Sequence, residues 1–362
     1  METHRTSSDK KLEEGIEVIK NSSLRPVGFV GKFLLGCREF WTGVTVVPTF
    51  VVVVIGLLAF GFIMESHILT CTPEVVVLNE TRTCSPRVLN ASAIEYHSGH
   101  RFYSELKEMD PPNPPTFRGN HSVLCHDEVR NHVQYGYCLP ISGRKDIPFC
   151  TAADRADLLN VRSHKSICYA SVLHMLMVEV YEELEATGNT PLIAFGSLLG
   201  AVRNGSIIPF TEDADIGFVN ELKGEAALKE ALWRKGYHMF FLGIWRVCVA
   251  PTHPLAGRLY DSRLPLTKRY SVPYVDLYQM KKINQNLWDI QELTGSNGRF
   301  LATDKVEPFS QVTINGMPFN TVRDADFFLR QAYGPSYMTP KPRQSKRYAE
   351  SSTFRITIST QR

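Results

Sequence analysis

AFGSLLGAVRNGSIIPFTEDADIGF, residues 194–218, joins an apolar segment, a run of small residues and an Asp-x-Asp pair. We predict a short buried strand over PLIAFG (191–196), a brief helix over SLLGAVRNG and a second strand over DADIGFV. Side chains alternate along a strand, so Asp213 and Asp215 are expected on one face. Two carboxylates so close repel each other unless a basic partner, a raised pKa or a divalent cation relieves the repulsion.

The elements around this stretch indicate an α/β or α+β domain that begins near residue 151. An amphipathic helix is predicted over 167–187, with apolar residues at spacings of three and four and acids on the other face. A polar-faced helix is predicted over 220–236, and further strands near 237–250 and 271–280. Strands and helices therefore alternate.

A third aspartate, Asp276, interrupts the apolar strand VPYVDLYQ, where a carboxylate has no evident structural purpose. Aspartates from two adjacent strands would form a hard-oxygen site suited to Mg2+ or Mn2+. At the preceding strand-to-helix turn, Gly196 would let the backbone approach a ligand, and with Ser197 it would open a helix whose free N–H groups attract an anion. Phosphate is the anion that we expect to bind there. Arg203 is either a further phosphate contact or a solvated arginine at a helix end.

The same tripeptide recurs at Asp324-Ala325-Asp326, where FFLRQAYG follows with helical spacing. Acids in a first helical turn cap free N–H groups and complement the helix dipole. We therefore predict that this second copy is structural. We assign no function to His238 or His253.

One segment before the domain predicts a membrane anchor. Residues 44–64, VTVVPTFVVVVIGLLAFGFIM, carry no charge and have the length needed to cross a hydrocarbon core. A cleaved signal peptide is disfavoured because 43 residues precede the segment, and a buried core helix because the segment is apolar all round. Arg25, Lys32 and Arg38 lie on the N-terminal side, which places the tail 1–43 in the cytosol.

The remainder of the chain would then face the lumen of the Golgi or the endoplasmic reticulum, as in a single-pass type II protein. Residues 65–150 are rich in Pro, Asn and Ser without a regular period, which is typical of a stem, and 151–362 would form the catalytic domain. Sequons at Asn79, Asn90, Asn120 and Asn204 are compatible with this placement.

Seven cysteines follow the predicted anchor, and an oxidising lumen would allow two or three disulfides with one thiol left over. They are at positions 71, 84, 125, 138, 150, 168 and 248. A zinc site is the competing interpretation, although no C-x2-C spacing occurs.

The composition argues against nucleic-acid binding. The net charge is only +3, and no lysine and arginine stripe is interleaved with aromatic residues. With 43% hydrophobic residues the chain can bury a substantial core.

Residues 194–218, together with YVDLYQM around Asp276 and DADFFLRQAYGPSYMTP near the C-terminal end, resemble the LicD family, which includes bacterial phosphocholine transferases, fukutin and fukutin-related protein. The resemblance covers roughly 165–342. It implies a nucleotidyltransferase-like fold with a mixed sheet flanked by helices.

The resemblance also implies an activity. A metal held by Asp213, Asp215 and Asp276 would help to move a phosphorylated alcohol, such as ribitol phosphate, glycerol phosphate or phosphocholine, from a CDP-linked donor to a hydroxyl of a glycan or glycoprotein. Gly196 and Ser197 would hold the donor phosphates. The alternatives are a glycosyltransferase that uses a nucleotide sugar and an inactive scaffold for glycosylation. The sequence does not indicate an oligomeric state.

Overall fold

The structure, a computed structural model, describes residues 54, 55, 57 and 83–340, except 110–112, 161 and 267–271. The chain divides into two compact units, Met1–Pro73 and Glu74–Arg362. In the first unit, the described residues Val54, Ile55 and Leu57 are helical and exposed. The rest of the span predicted over 44–64, and the tail 1–43, lie outside the described residues. None of the helices in the described part of the chain is long and apolar enough to cross a membrane.

The second unit is built on a mixed sheet. Two short strands, β1 (Thr83–Cys84) and β2 (Phe117–Arg118), first form an antiparallel pair of their own. The nine strands of the main sheet follow: β3 (Pro191–Ile193), β4 (Asp213–Val219), β5 (Tyr237–Leu242), β6 (Ile244–Val249), β7 (Tyr274–Asn284), β8 (Leu287–Ile290), β9 (Phe300–Ala302), β10 (Ser310–Ile314) and β11 (Met317–Thr321).

The strand order places the two aspartate-bearing strands side by side. It runs β10-β11-β3-β4-β7-β6-β5, and β8 and β9 continue the sheet from the second half of β7. β4 pairs with β7 in parallel, and so does β11 with β3, whereas the other pairs are antiparallel. The interior of β4 and the first half of β7 are buried, as expected of central strands covered on both faces.

Helices flank this sheet, which confirms the predicted α/β class. They are α1 (Arg101–Glu108), α2 (Arg130–Val133), α3 (Tyr169–Ala186), α4 (Phe195–Asn204), α5 (Glu225–Arg234), α6 (Ala256–Leu259), α7 (Thr303–Val306) and α8 (Ala325–Tyr333). The predictions for 167–187 and 220–236 correspond to α3 and α5, and β4 coincides with DADIGFV. The segment 237–250 forms the hairpin of β5 and β6.

α3 differs from its prediction in one respect, because its acidic face is covered. It packs against β4, β6 and β7, and Glu179 and Glu183 on its other side are also buried. The Lys235 ammonium lies 2.5 Å from Glu183 Oε1 and 3.7 Å from Glu179 Oε2, and His97 Nε2 lies 2.9 Å from Glu183 Oε1. Burial raises the pKa of Glu179 to about 7, against the opposing effect of Lys235. These acids bind protein cations rather than solvent.

The segment that covers α3 comes from the region assigned to a stem. Apolar side chains of 83–150 share the main core with the sheet and α3; they include Phe102, Leu106, Phe117, Leu124 and Leu139. They occur singly among prolines and polar residues, in short helical turns, so they leave no periodic pattern in the sequence. From residue 83 onward this region therefore contributes to the hydrophobic core of the second unit.

Three disulfides tie this region together: Cys84–Cys125, Cys138–Cys248 and Cys150–Cys168. The second links the region to β6 of the sheet. Cys71 lies outside the described residues. The six described cysteines thus pair as an oxidising compartment would allow.

Loop length should determine how much two of these bonds stabilise the protein. Cys138–Cys248 spans 110 residues and Cys150–Cys168 spans 18. Replacing both cysteines of the longer loop by alanine should lower the free energy of unfolding by about 4 to 5 kcal/mol, against about 3 kcal/mol for the shorter loop. Urea unfolding without reductant, followed by tryptophan fluorescence, measures both values. A larger loss for the shorter loop would contradict the entropic account.

Candidate functional site

β4 and β7 carry three aspartates on one face of the sheet. In the parallel register Asp215 lies opposite Asp276, and Asp213 lies opposite Tyr274. Paired residues on neighbouring strands share a face, and so do alternate residues along a strand. All three carboxylates therefore project from the same face. The apolar residues between them point to the other face, against which α3 packs.

The three carboxylates form a compact cluster. One oxygen from each of Asp213, Asp215 and Asp276 lies within 4.8 Å of the other two. Two oxygens bound to one Mg2+ ion at about 2.1 Å each are at most about 4.2 Å apart, so small side-chain rotations would bring all three to one ion. The set contains only hard oxygen donors. It therefore fits a divalent cation such as Mg2+ or Mn2+.

Burial makes the negative charge of this cluster costly. Asp215 and Asp276 are only 5% and 4% exposed, whereas Asp213 is half-buried. Burial, and next the charges of Asp213 and Asp276, raise the pKa of Asp215 well above its usual value. Burial also raises the pKa of Asp276 to about 7, although the Arg246 guanidinium opposes this shift. A divalent cation would oppose both shifts, because its charge favours the ionised carboxylates.

The start of α4 positions the middle aspartate. The Gly196 N–H donates to Asp215 Oδ2 at 2.8 Å, and the Asp215 N–H donates to Ser197 Oγ at 2.7 Å. A carboxylate at a helix N-terminus is stabilised by the free N–H groups and the dipole. We expected these residues to face donor phosphates. In this structure Gly196 binds the Asp215 carboxylate and Ser197 accepts from the Asp215 backbone N–H, and contact with donor phosphates stays a prediction.

Position 196 requires a glycine because the backbone there lies close to Asp215, and not because of its backbone angles. A Cβ atom there would lie 2.7 Å from Asp215 Oδ2. The unusual backbone belongs to Phe195, whose φ of 41° is uncommon for a residue with a side chain. Its ring packs against Tyr278 and Phe328, at centroid distances of 4.6 and 5.3 Å, which holds the first turn of α4 in place.

Each outer aspartate has its own protein partners. Thr211 Oγ1 donates to Asp213 Oδ1 at 2.6 Å. The Tyr278 hydroxyl donates to Asp276 Oδ2 at 3.3 Å. Arg246 lies opposite Asp276 in the antiparallel pair of β6 and β7, and its Nε is 2.9 Å from Asp276 Oδ1. Arg246 offsets part of the negative charge that the three carboxylates carry when they are ionised, and a divalent ion would balance the rest.

A cavity of about 330 Å³ opens on this cluster. Its wall contains Asp213, Asp215, Phe195, Gly196, Leu199, Ile208, Phe210, Thr211, Tyr278, Glu292 and Tyr333. Asp276 is not part of the wall and lies behind the other two carboxylates. The cavity thus has an acidic floor and aromatic sides.

The remaining residues of the sequence prediction lie outside this cavity. The Arg203 guanidinium donates to the Tyr337 carbonyl, so it joins the end of α4 to the loop after α8, and its contact with a phosphate stays a prediction. Asp324 caps α8 by accepting from the Phe327 N–H at 2.9 Å, which confirms that the second Asp-Ala-Asp is structural.

The sequence suggested Trp245 and Arg246 as a possible wall for donor or acceptor, but it did not predict the pairing of Arg246 with Asp276 or the aromatic residues of the cavity. Arg246 is the single charged residue in the apolar strand IWRVCV, just as Asp276 is the single charged residue in the apolar stretch VPYVDLYQ, and this could have indicated the pair. Tyr278 follows Asp276 by two residues and could have been placed on the same face. Nothing in the sequence around Tyr333 indicated that it belongs to the site, because it reaches the cavity from α8, far along the chain.

The family model described as LicD/FKTN/FKRP, nucleotidyltransferase domain, matches residues 188–321. Residues 188–321 are a LicD-family domain. The matched range contains β3 to β11 and all three aspartates, and it confirms the resemblance seen in the sequence. The family is of the phosphotransferase type and generally transfers phosphoryl-containing groups. No curated protein matches the chain.

The raised pKa of Asp276 predicts a pH effect on the LicD domain without metal. Its folded-state pKa of about 7 exceeds the value of about 3.9 of an exposed aspartate, so the folded protein binds more protons between these pH values. The contribution of the protonated Asp276 carboxyl to the free energy of unfolding is therefore present below about pH 4 and is lost as the pH rises to about 7. Urea unfolding at pH 5 and pH 8 in EDTA should therefore show wild type losing stability relative to Asp276→Asn. A constant difference would contradict the shift.

The close approach of Gly196 to Asp215 predicts that Gly196→Ala weakens metal binding. The new methyl group must displace the carboxylate, and disturbed support of a ligand typically costs about 10-fold to 100-fold in metal affinity. Calorimetric titration with Mn2+ measures the loss. Gly99→Ala is the control, since nothing lies within 4 Å of its added Cβ. Equal affinity of the two variants would refute this role of Gly196.

Proposed function

We propose that this protein transfers a phosphorylated alcohol from a CDP-linked donor to a hydroxyl of a glycan and releases CMP. The observation that carries the proposal is the cluster of Asp213, Asp215 and Asp276 in a LicD-family domain, with Asp213 and Asp215 lining a cavity. Displacement at a phosphodiester depends mainly on charge neutralisation and in-line positioning, and a carboxylate cluster that binds Mg2+ or Mn2+ meets the first requirement.

The three aspartates would hold the ion, which when bound would neutralise charge on the donor diphosphate. Gly196 and Arg246 keep Asp215 and Asp276 in place. The aromatic side chains of Phe195, Tyr278 and Tyr333 offer flat surfaces to the nucleoside part of the donor.

The reaction itself is a substitution at phosphorus. The acceptor hydroxyl oxygen forms a bond to the phosphorus of the alcohol phosphate, and the bond from that phosphorus to the CMP oxygen breaks. CMP leaves with the bonding electrons, and the hydroxyl proton passes to a carboxylate of the cluster. Asp213 is better placed for this than Asp276, because Asp213 lies on the cavity wall.

We also propose that the protein is a single-pass type II membrane protein of the Golgi or endoplasmic reticulum, with the catalytic domain in the lumen. The three disulfides support an oxidising compartment. The sequon asparagines Asn90, Asn120 and Asn204 are exposed, so glycans at these positions would not disturb the core.

The activity test is release of CMP from CDP-ribitol, CDP-glycerol or CDP-choline by the full chain with Mn2+ or Mg2+. We expect release with at least one donor, and a loss of at least about 100-fold in Asp215→Asn, because the cation site loses a charged ligand. Asp326→Asn is the matched control: it alters the second Asp-Ala-Asp, on the exposed start of α8, and should leave activity unchanged.

Other outcomes identify the alternatives. Release of UDP or GDP from a nucleotide sugar would replace the proposal by a glycosyltransferase. Absence of nucleotide binding in the folded protein would indicate a scaffold. Equal loss of activity in Asp215→Asn and Asp326→Asn would show that the cluster of three aspartates has no special role in the reaction.

A further inference from the structure

A second groove lies away from the acidic cluster, on the edge of the sheet. It runs between α5 and the segment that begins α2, and β5 forms its floor. Its lining includes Arg130, Glu225, Lys229, Glu230, Trp233 and His238. β5 is separated from β4 by β6 and β7, and the two cavities share no lining residue.

Several polar groups of this groove have unused hydrogen-bonding capacity. In the described part of the chain, neither Arg130 nor Lys229 takes part in an ion pair, although both approach the groove. His238 is 2% exposed, and its Nε2 has no hydrogen-bond partner. A buried polar atom without a partner is costly, so such atoms commonly mark a place that water or a ligand completes.

The buried imidazole can act only as an acceptor at Nε2. Burial, and next the charge of Arg130, lower the pKa of His238 to about 3, so the ring is neutral. A backbone hydrogen bond to Gln134 occupies the other nitrogen. A neutral imidazole has one donor and one acceptor nitrogen, and the donor is already used. The group that completes this site must therefore donate a hydrogen bond.

The charges of the lining restrict the ligand further. The lining holds two basic residues, Arg130 and Lys229, and two acidic ones, Glu225 and Glu230, of which Glu230 also pairs with Arg234 at 2.9 Å. An anion would meet the two carboxylates and a cation would meet the two basic groups. The guanidinium of Arg130 lies over the half-buried Trp233 ring, 4.1 Å from its centroid, which fixes the direction of its donors.

Hydroxyl groups satisfy all of these requirements at once, because each can donate to a carboxylate or an imidazole nitrogen and accept from a guanidinium or an ammonium. The cavity of about 250 Å³ is smaller than the roughly 300–1,000 Å³ of pockets for drug-sized ligands, so it suits one ring-sized unit. We propose that this groove binds one neutral sugar unit of a glycan. The inference does not depend on the proposed transfer reaction, because the groove lies outside the acidic site.

The test is saturation-transfer NMR on the full chain, kept in a polyoxyethylene detergent whose head group contains no sugar. The probes are the methyl glycosides of glucose, galactose, mannose and N-acetylglucosamine, with methyl glucuronide and methyl glucosaminide as charged counterparts. We expect at least one neutral glycoside to bind, with a Kd on the order of 1 mM, and the charged counterparts to bind more weakly.

Variants locate the binding. Lys229→Met and Arg130→Gln should each weaken it several-fold without a change in Tm, since both side chains are partly exposed. Lys281→Met, an exposed lysine outside the groove, and Asp215→Asn in the acidic cluster should leave binding unchanged. The proposal would be overturned if no neutral glycoside bound or if a charged one bound more tightly. It would also be overturned if the double variant of Arg130 and Lys229 bound as well as wild type, or if Asp215→Asn lost binding.

Discussion

The site depends on one electrostatic constraint, the placement of Asp213, Asp215 and Asp276 on one face of two parallel strands. The carboxylates are too close and too buried to remain charged without compensation. The fold supplies part of it. Arg246 pairs with Asp276 from the neighbouring strand, and the Gly196 N–H at the start of α4 binds Asp215. What remains is a net negative charge at the floor of a cavity.

Much of the surrounding architecture serves to keep that arrangement rigid. α3 packs behind the strands, and its buried Glu183 binds both His97 of the segment that precedes α3 and Lys235 at the end of α5. Ser197 bonds the backbone of β4, and Arg203 joins α4 to the loop after α8. The LicD-family domain at 188–321 is therefore part of a larger unit, whose first and last elements lie outside the matched range.

The sequence predicted local features well and long-range packing poorly. DADIGFV is β4 as expected, because alternation and β-branched or aromatic residues are local signals, and Asp276 was placed beside it by its isolation in an apolar strand. The bonds of Gly196 and Ser197 to Asp215 could not be predicted, because only the tertiary fold brings these residues together, and their contact with phosphates stays a prediction. The packing of 83–150 was missed for the same reason: its buried residues, such as Phe117, are spaced irregularly.

Anomalous diffraction from crystals of the protein grown with Mn2+ and CDP tests the central claim most directly. The account predicts a single strong manganese peak within bonding distance of carboxylate oxygens from Asp213, Asp215 and Asp276, with the diphosphate of CDP on the cavity side. Bound CDP with no manganese at the three carboxylates, or manganese bound only elsewhere, would contradict it.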